Sequence, residues 1–505
     1  MVSAQPTIVW LWYFWQFFYN LEFLFYLLFP IVFYIGIIIL ILSSIIVARI
    51  FLFFINLVHK PKEGVFFRNK NDKDYCYWCL RAIAKKWPAW LARQLSLPIL
   101  ETFLFKVLGV KTSFSNSLSE GWVDLEFIEL GKNIRIGQGS FIISNVMIKN
   151  KLIIKRVIIK DNVIIGAHAV VLPGTVIESN TILDAISMTT INQHLESDSI
   201  YRGAPAKKDD ESLIHKNEID KIIFEDEYKE KYNEENLRAH VKEMTIPFHF
   251  YLISGWIIIG VSFILPGFFF FLFLFGVLTP NLLTLPFSLR ILLRFDRILI
   301  LICTPLVLIC IYLLHLFFVA LFTKLFYKLA DKRGPEQGVF DRNLDETSTI
   351  LDYYHFRSFL FKYPIFAFIR SPFPWLLNWE LRFLGSNKVG KGTVFEDTFL
   401  HSHIDFGEKC YIGTFAHITN HVVDGVYGEE NLTFFGAQIG NNCVFNASSG
   451  AFPGLIMNEN STILPMCATI KFDKLGKDGI YGGFPAKKFN IDTITKILGG
   501  EFTEE

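Results

Sequence analysis

Large apolar residues recur at every sixth position across two separate stretches of this chain, and mostly small residues hold the position four further on. In the first stretch Ile159, Ile165, Val171, Ile177, Leu183 and Thr189 share one phase, and Val163, Ala169, Thr175, Thr181 and Ser187 share the other. In the second, Ile439, Phe445, Ala451, Met457, Ile463 and Thr469 alternate with Cys443, Ser449, Leu455, Ser461 and Cys467. A helix would repeat its apolar positions at three and four, and a membrane span would not carry Lys160, Asp161 and Glu178 at this density. Two inward positions in six predict a short flat strand followed by a corner, with three such faces closing a triangular coil. Earlier turns of the two coils are marked by Ile136, Ile142 and Ile148, and by Phe406, Ile412 and Ile418.

A second pattern lies outside these stretches. Phe23 to Ala48, Thr245 to Leu289 and Ile298 to Thr323 contain no Asp, Glu, Lys or Arg, and each exceeds the roughly 20 residues that cross a bilayer core. With the aromatic segment Ile8 to Leu28 ahead of Pro30, they predict two spans in the first half. Ser254 to Leu278 and Ile298 to Leu325 give two in the second, and the run around Pro266-Gly267 leaves room for a fifth. Composition agrees: 505 residues are 52% hydrophobic with 53 Phe, and a mean hydropathy of +0.37 is that of an integral membrane protein. The Met1 end, without basic residues or a small-residue cleavage site, reads as an uncleaved signal anchor.

The net charge of +1 offers no footprint for nucleic acid. Its distribution says more. Lys60, Lys62, Arg68 and Lys70 follow the second span, and Lys324, Lys328, Lys332 and Arg333 follow the fourth, which places both polar regions on the cytoplasmic side. Arg290, Arg294 and Arg297 in the opposing loop argue the other way. Seven scattered Cys form no disulfide framework, and Cys76 and Cys79 lack the second pair that a zinc site needs.

The two halves are in register. PKEGVFFR from Pro61 reappears as PEQGVFDR from Pro335, and Pro88, Pro98 and Gly109 are matched by Pro364, Pro374 and Gly385. Such constancy predicts a duplicated unit. The expected organisation is a transmembrane helix pair (1–58), a linker with interfacial helices (59–114), a first β-helix (115–208) and a charged helical linker (209–246). A second helix pair (247–327), linker (328–386), β-helix (387–490) and tail (491–505) follow. Arg81 to Leu108 and Arg357 to Leu384 carry Trp and basic anchors suited to a membrane surface; a cap over the β-domain is the other reading.

Each β region closes on a similar octapeptide, YRGAPAKK at Tyr201 and YGGFPAKK at Tyr481, and this ending resembles the tail signature of hexapeptide-repeat acyltransferases. The resemblance implies left-handed parallel β-helices and an acyl-CoA or carrier-bound pantetheine thioester as donor. Soluble relatives trimerise to form sites between subunits, so two units per chain imply either pairing of the two β-helices or a homo-oligomer. The whole chain, with a Leu-Gly step entering each coil, also resembles the C-terminal module of ε-poly-lysine synthases and related nonribosomal-peptide-synthetase-like proteins. That module typically has three tandem units behind adenylation and carrier domains; here there are two units and neither domain, which leaves general acyl transfer. The expected partners are the lipid bilayer, a thioester donor and a small hydroxyl or amine acceptor.

Such chemistry needs a base at the acceptor. The family's His followed by an acidic residue at plus three is matched by His421 and Asp424. His403, 18 residues earlier, is expected one rung away from His421. The first copy has Phe127 and Asn145 at these positions and is expected to be degenerate, with His168 and His194 surface residues. Gly482, Gly483 and Lys487, with their counterparts Gly203 and Lys207, expose backbone amides and a cation suited to donor phosphates, or simply end the coil. Two other readings stay open: a noncatalytic assembly subunit, whose His403 and His421 would line no groove, and a γ-carbonic-anhydrase-like metal site on His403, His417 and His421. No metal is expected under the acyltransferase reading.

Overall fold

The computed structural model describes residues 2–21, 23–94, 98–118, 120–209, 248–282, 294–334, 336–341, 349–424 and 431–490. The charged linker expected at 209–246 lies, beyond Asp209, outside the described residues, as does the tail from 491.

Two stacks of parallel coils dominate the chain. In the first, Val176 pairs with Ile158 and with His194, and Ile182 with Ile164 and Ile200. In the second, Val444 pairs with Thr462, and Thr462 with Ile480. These are steps of 18 residues, and each stack shows three parallel sheets, one per face. The sixfold apolar phase points inward: Ile159, Ile165, Val171, Ile177 and Leu183 fill the first interior, and Ile439, Phe445, Ala451, Met457 and Ile463 fill the second. Corners take left-handed backbone, at Asn162, Asn180, Asn442 and Asn460 among others, a conformation Asn tolerates better than most residues. The Asn amides then link rung to rung, Asn162 to Asn180 at 3.1 Å and Asn442 to Asn460 at 3.1 Å.

Each stack is interrupted once by an antiparallel arm. Strands Asn145–Ile148 and Lys151–Ile154 form the first arm, and His421–Asp424 and Asn431–Phe434 form the second. The repeated GVFF and GVFD segments become the strands Gly64–Phe67 and Gly338–Asp341, which pair with the arms and tie the linkers to them. Ile148, expected as an inward coil position, belongs to the first arm instead, where it packs against the second stack. Its sixfold spacing is a coincidence of phase, because the arm leaves the coil immediately before it.

The two stacks pair within the chain. Asn446 accepts a hydrogen bond from the Met147 amide at 3.1 Å and donates to its carbonyl at 2.9 Å, while the Lys149 amide donates to Thr462 Oγ1 at 3.0 Å. Phe141, Val146, Ile148 and Val170 meet Leu464 and Ile480 in a shared apolar cluster.

Among the described residues three helical segments are long and apolar enough to cross a membrane: Phe23–Val58, His249–Leu282 and Phe295–Asp331. The segment expected as a first span divides in two. Its leading part is the helix Gln5–Phe18, 14 residues long and so about 21 Å, short of the ~30 Å core. It folds back on the following helix, with the Thr7 hydroxyl donating to the Gly36 carbonyl at 3.2 Å. The interfacial helix Lys73–Gln94 turns its charges inward: Arg81 and Lys85 are 2% and 7% exposed, whereas Leu80, Ile83 and Trp87 are each close to 40%. An apolar outer face of this kind suits lipid better than water.

Candidate functional site

The helix Leu377–Leu384 ends on Gly385 in left-handed backbone, a common helix stop. The chain then enters the second stack beside a groove of about 650 Å³ lined by Gln337, Arg382, Lys388, His403, Asp405 and Gly436, among others. His403 sits on a coil corner with φ of 62°, as its counterpart Phe127 does with φ of 55°. Its Nε2 stands 3.5 Å from Asp331 Oδ1, at the end of the long apolar helix Phe295–Asp331. Asp331 Oδ1 also accepts a 3.0 Å hydrogen bond from Arg357 Nη1. Arg357 is 1% exposed, and its guanidinium carbon lies 5.0 Å from the centre of the Phe434 ring. A salt-bridged carboxylate thus lies 3.5 Å behind a groove-lining imidazole, whose buried Nε2 makes no hydrogen bond among the described residues.

His421 lies elsewhere. The rung partner below Ile404 is Ala437, so the residue beneath His403 is Gly436 rather than His421. The inserted arm moves the step from 18 residues to 33, and His421 becomes the first residue of the arm. Its Nδ1 is 3.1 Å from Asn420 Oδ1 and 3.3 Å from Thr419 Oγ1, and its ring packs edge-on against His401 at 4.8 Å and Tyr354 at 5.3 Å. Phe434 lies opposite His421 in the arm and packs against His403 at 5.4 Å and Tyr354 at 5.3 Å. Asp424 is three residues along the same strand, so its backbone is about 10 Å from that of His421; its side chain lies outside the described residues.

Two further histidines lie near His421: His401, half-buried, and His417, exposed on its strand. Burial, with help from the positive charges of Lys362 and His417, pushes His401 down to about 4, and desolvation also lowers His417. His417 fits because the position beneath it is glycine: a Cβ on Gly450 would come within 2.6 Å of His417 Nε2. Among the described residues no three His, Cys, Asp or Glu side chains come together as ion ligands, so His403, His417 and His421 do not assemble the expected metal triad. Gly482 and Lys487 face each other in the final hairpin of the stack, with Gly483 at its turn. Lys487 stands at the opposite end of the stack from the groove, about four strand spacings, or ~19 Å, beyond the His403 level. Sequence reading found His403 but missed Asp331 and Arg357. Arg357 does occupy the same repeat position as Arg81, which was the available signal; Asp331 has no counterpart in the first copy.

In the first stack Asn145 opens onto a cavity of about 350 Å³ between the stacks, whose walls include Trp90, Trp122, Asp124, Tyr411 and Phe415. The Asn145 amide donates to Asp124 Oδ2 at 2.7 Å, and burial raises the Asp124 carboxyl above its usual range.

No family model matches this chain, and no curated protein matches it either. Among solved structures it is similar to a maltose O-acetyltransferase from Clostridium difficile 630, at 13% identity over 29% of this chain and 91% of that one, with a TM-score of 0.22. A hexapeptide-repeat-containing acetyltransferase from Vibrio cholerae, complexed with acetyl coenzyme A, is 17% identical over 27% of this chain and 88% of that one, with a TM-score of 0.21. The N-acyltransferase AntD from Bacillus cereus, in complex with dTDP and coenzyme A, is 14% identical over 23% and 81%, with a TM-score of 0.18.

Proposed function

We propose that this protein is a membrane-bound acyl or aminoacyl transferase of the hexapeptide-repeat type, with two left-handed β-helices on the cytoplasmic side. It moves the acyl group of an acyl-CoA or carrier-bound pantetheine to a hydroxyl or amine acceptor near the bilayer. The observation that carries this reading is the groove in which His403 is backed by Asp331 and Arg357, while the first copy holds Phe127 at the same corner. With Asp331 3.5 Å from Nε2, the reacting tautomer carries its hydrogen on Nε2 and leaves Nδ1 as the basic nitrogen. His403 takes the proton of the acceptor as its oxygen or nitrogen attacks the thioester carbonyl. Asp331 stabilises the imidazolium, and collapse of the tetrahedral intermediate breaks the C–S bond and returns the proton to the departing thiolate. His421, with Asp424 on its strand, is the rival base on the adjoining face. Gly482, Gly483 and Lys487 receive the phosphate end of the donor.

The test is reconstitution of the purified protein with candidate thioester donors, following thiol release. His403→Ala is expected to lower turnover by about 10²- to 10⁴-fold, the usual contribution of a positioned base, with donor binding kept. A loss confined to His421→Ala would move the base to the arm. Equal turnover in both variants, or failure of every donor to bind, would return the protein to the noncatalytic assembly role.

A further inference from the structure

The first copy has lost the His403 position, yet the same corner of its stack is not empty of chemistry. A cavity of about 210 Å³ lies where the helix Phe23–Val58 meets the stack, and Arg49, Asn56, Arg81, Lys85, Glu126 and Arg156 contribute to its lining. Their places follow from the sequence: Arg49 directly ends the charge-free run of the span, Arg81 and Lys85 are one turn apart on the inward face of Lys73–Gln94, and Arg156 follows the arm. Gly109 closes the entry with φ of 107°, and a Cβ there would come 3.9 Å from Arg49 Nη1.

Four cations and one carboxylate line this space. Glu126 is shared by Arg81 Nε at 2.7 Å and Lys85 Nζ at 3.2 Å. Arg156, on the cavity wall, is engaged by Glu63 at 3.1 Å and Glu129 at 2.5 Å, and Glu129 is also bound by Lys111 at 3.0 Å. Asp124 is the further carboxylate nearby, and it is taken by Trp122, Ser144 and Asn145. Arg49 makes no ion pair among the described residues. Arg81, 2% exposed, buries an Nη1 with no hydrogen-bond partner. A buried, unpaired guanidinium donor carries a desolvation cost that an acceptor from outside the chain would remove. The second copy keeps only Arg357, at the Arg81 position: Phe361 stands for Lys85, Ser402 for Glu126 and Gly436 for Arg156.

We infer that the first copy's cavity binds a phosphate group at the membrane surface, with Arg49 and Arg81 as its chief donors. Guanidinium forks match the oxygens of a phosphate in pairs, and the volume equals roughly seven waters, enough for the group and part of its hydration. Its position at the end of a membrane-crossing helix suits a lipid headgroup, and a free phosphate monoester offers the same oxygens.

The experiment uses the full chain, purified in detergent and stripped of lipid. Inorganic phosphate is titrated calorimetrically into wild type, Arg49→Gln and His403→Ala. In parallel, each is reconstituted in nanodiscs of phosphatidate-containing lipid or of uncharged sugar-headed lipid, and its thermal midpoint is read. Arg49→Gln, at an exposed position, keeps the Arg81–Glu126 contact and is expected to fold. A phosphate affinity at least about tenfold weaker in Arg49→Gln, with His403→Ala unchanged, supports the site and identifies a free phosphate as sufficient. A phosphatidate-specific stabilisation of wild type that Arg49→Gln loses, without inorganic phosphate binding, supports it and identifies the headgroup. Wild type and Arg49→Gln behaving alike in both arms overturns it.

Discussion

The two copies place a buried arginine at the same point and neutralise it from opposite directions. In the first, Arg81 is met by Glu126 from the coil stack, with Lys85 alongside. In the second, Arg357 is met by Asp331 from the membrane helix, and the coil position becomes Ser402. Moving the carboxylate from stack to helix frees the corner for His403 and joins the groove to the end of the span. The lesson is that two like units can hold different polar networks at similar backbone, provided each buried charge keeps a partner.

The comparison breaks most visibly at the corner itself. Making the second copy resemble the first by His403→Phe is expected to cost about 10²- to 10⁴-fold in turnover, whereas Phe127→Ala leaves turnover within about twofold of wild type. Thiol release by reconstituted protein measures both, and a comparable loss from Phe127→Ala would mean that the first copy is catalytic.

Next come the arginines. Arg81→Met leaves Glu126, 17% exposed, with only Lys85, and is expected to cost about 3 kcal/mol. Arg357→Met leaves Asp331, 41% exposed, close to water and is expected to cost only about 1 kcal/mol. Denaturant midpoints in one detergent compare the two, and the reverse order would contradict the burial argument.

A third difference is Glu380, which stands where the first copy has Leu104. Glu380 is fully buried, and both its oxygens lack a hydrogen-bond partner. Burial pushes its carboxyl up to about 8. Because the folded value lies above the unfolded one, this group's stability contribution is complete below about pH 4.3 and falls as pH rises toward 8, at up to about 1.4 kcal/mol per pH unit. Glu380→Leu should flatten that fall and raise the thermal midpoint at pH 8. An unchanged pH profile in the variant would show that the carboxyl is solvated.

A further expected effect concerns the seam. Asn446→Ala removes both hydrogen bonds to Met147 and leaves that amide and carbonyl buried, for a cost of about 1–3 kcal/mol, while Asn145→Ala on the first face should leave turnover nearly intact. Protease protection of the seam tests the first, and thiol release tests the second.

Much of this molecule was legible in the chain. The sixfold phase identified nearly every inward residue of both stacks, because a coil face repeats its burial at a constant step and solvent exposure punishes any slip. The charge-free runs identified the three segments that are long and apolar enough to cross a membrane, because few sequences other than spans tolerate such length without a charge; the aromatic segment ahead of them forms a shorter helix instead. The repeat located the two corresponding coil corners, His403 and Phe127, which share left-handed backbone, and the replacement of His421 by Asn145 between copies. What the sequence could not express is adjacency across an insertion. A spacing of 18 means one rung only while the coil continues, and the arm after Asn420 replaces His421 by Gly436 beneath His403. The partners of His403 come from 72 residues earlier, at Asp331, and 46 earlier, at Arg357, and only the docking of a membrane helix against the stack brings them to it. Local periodicity is written in the chain because each residue answers to neighbours at fixed steps; the site is a meeting of elements, and its geometry follows from how they pack.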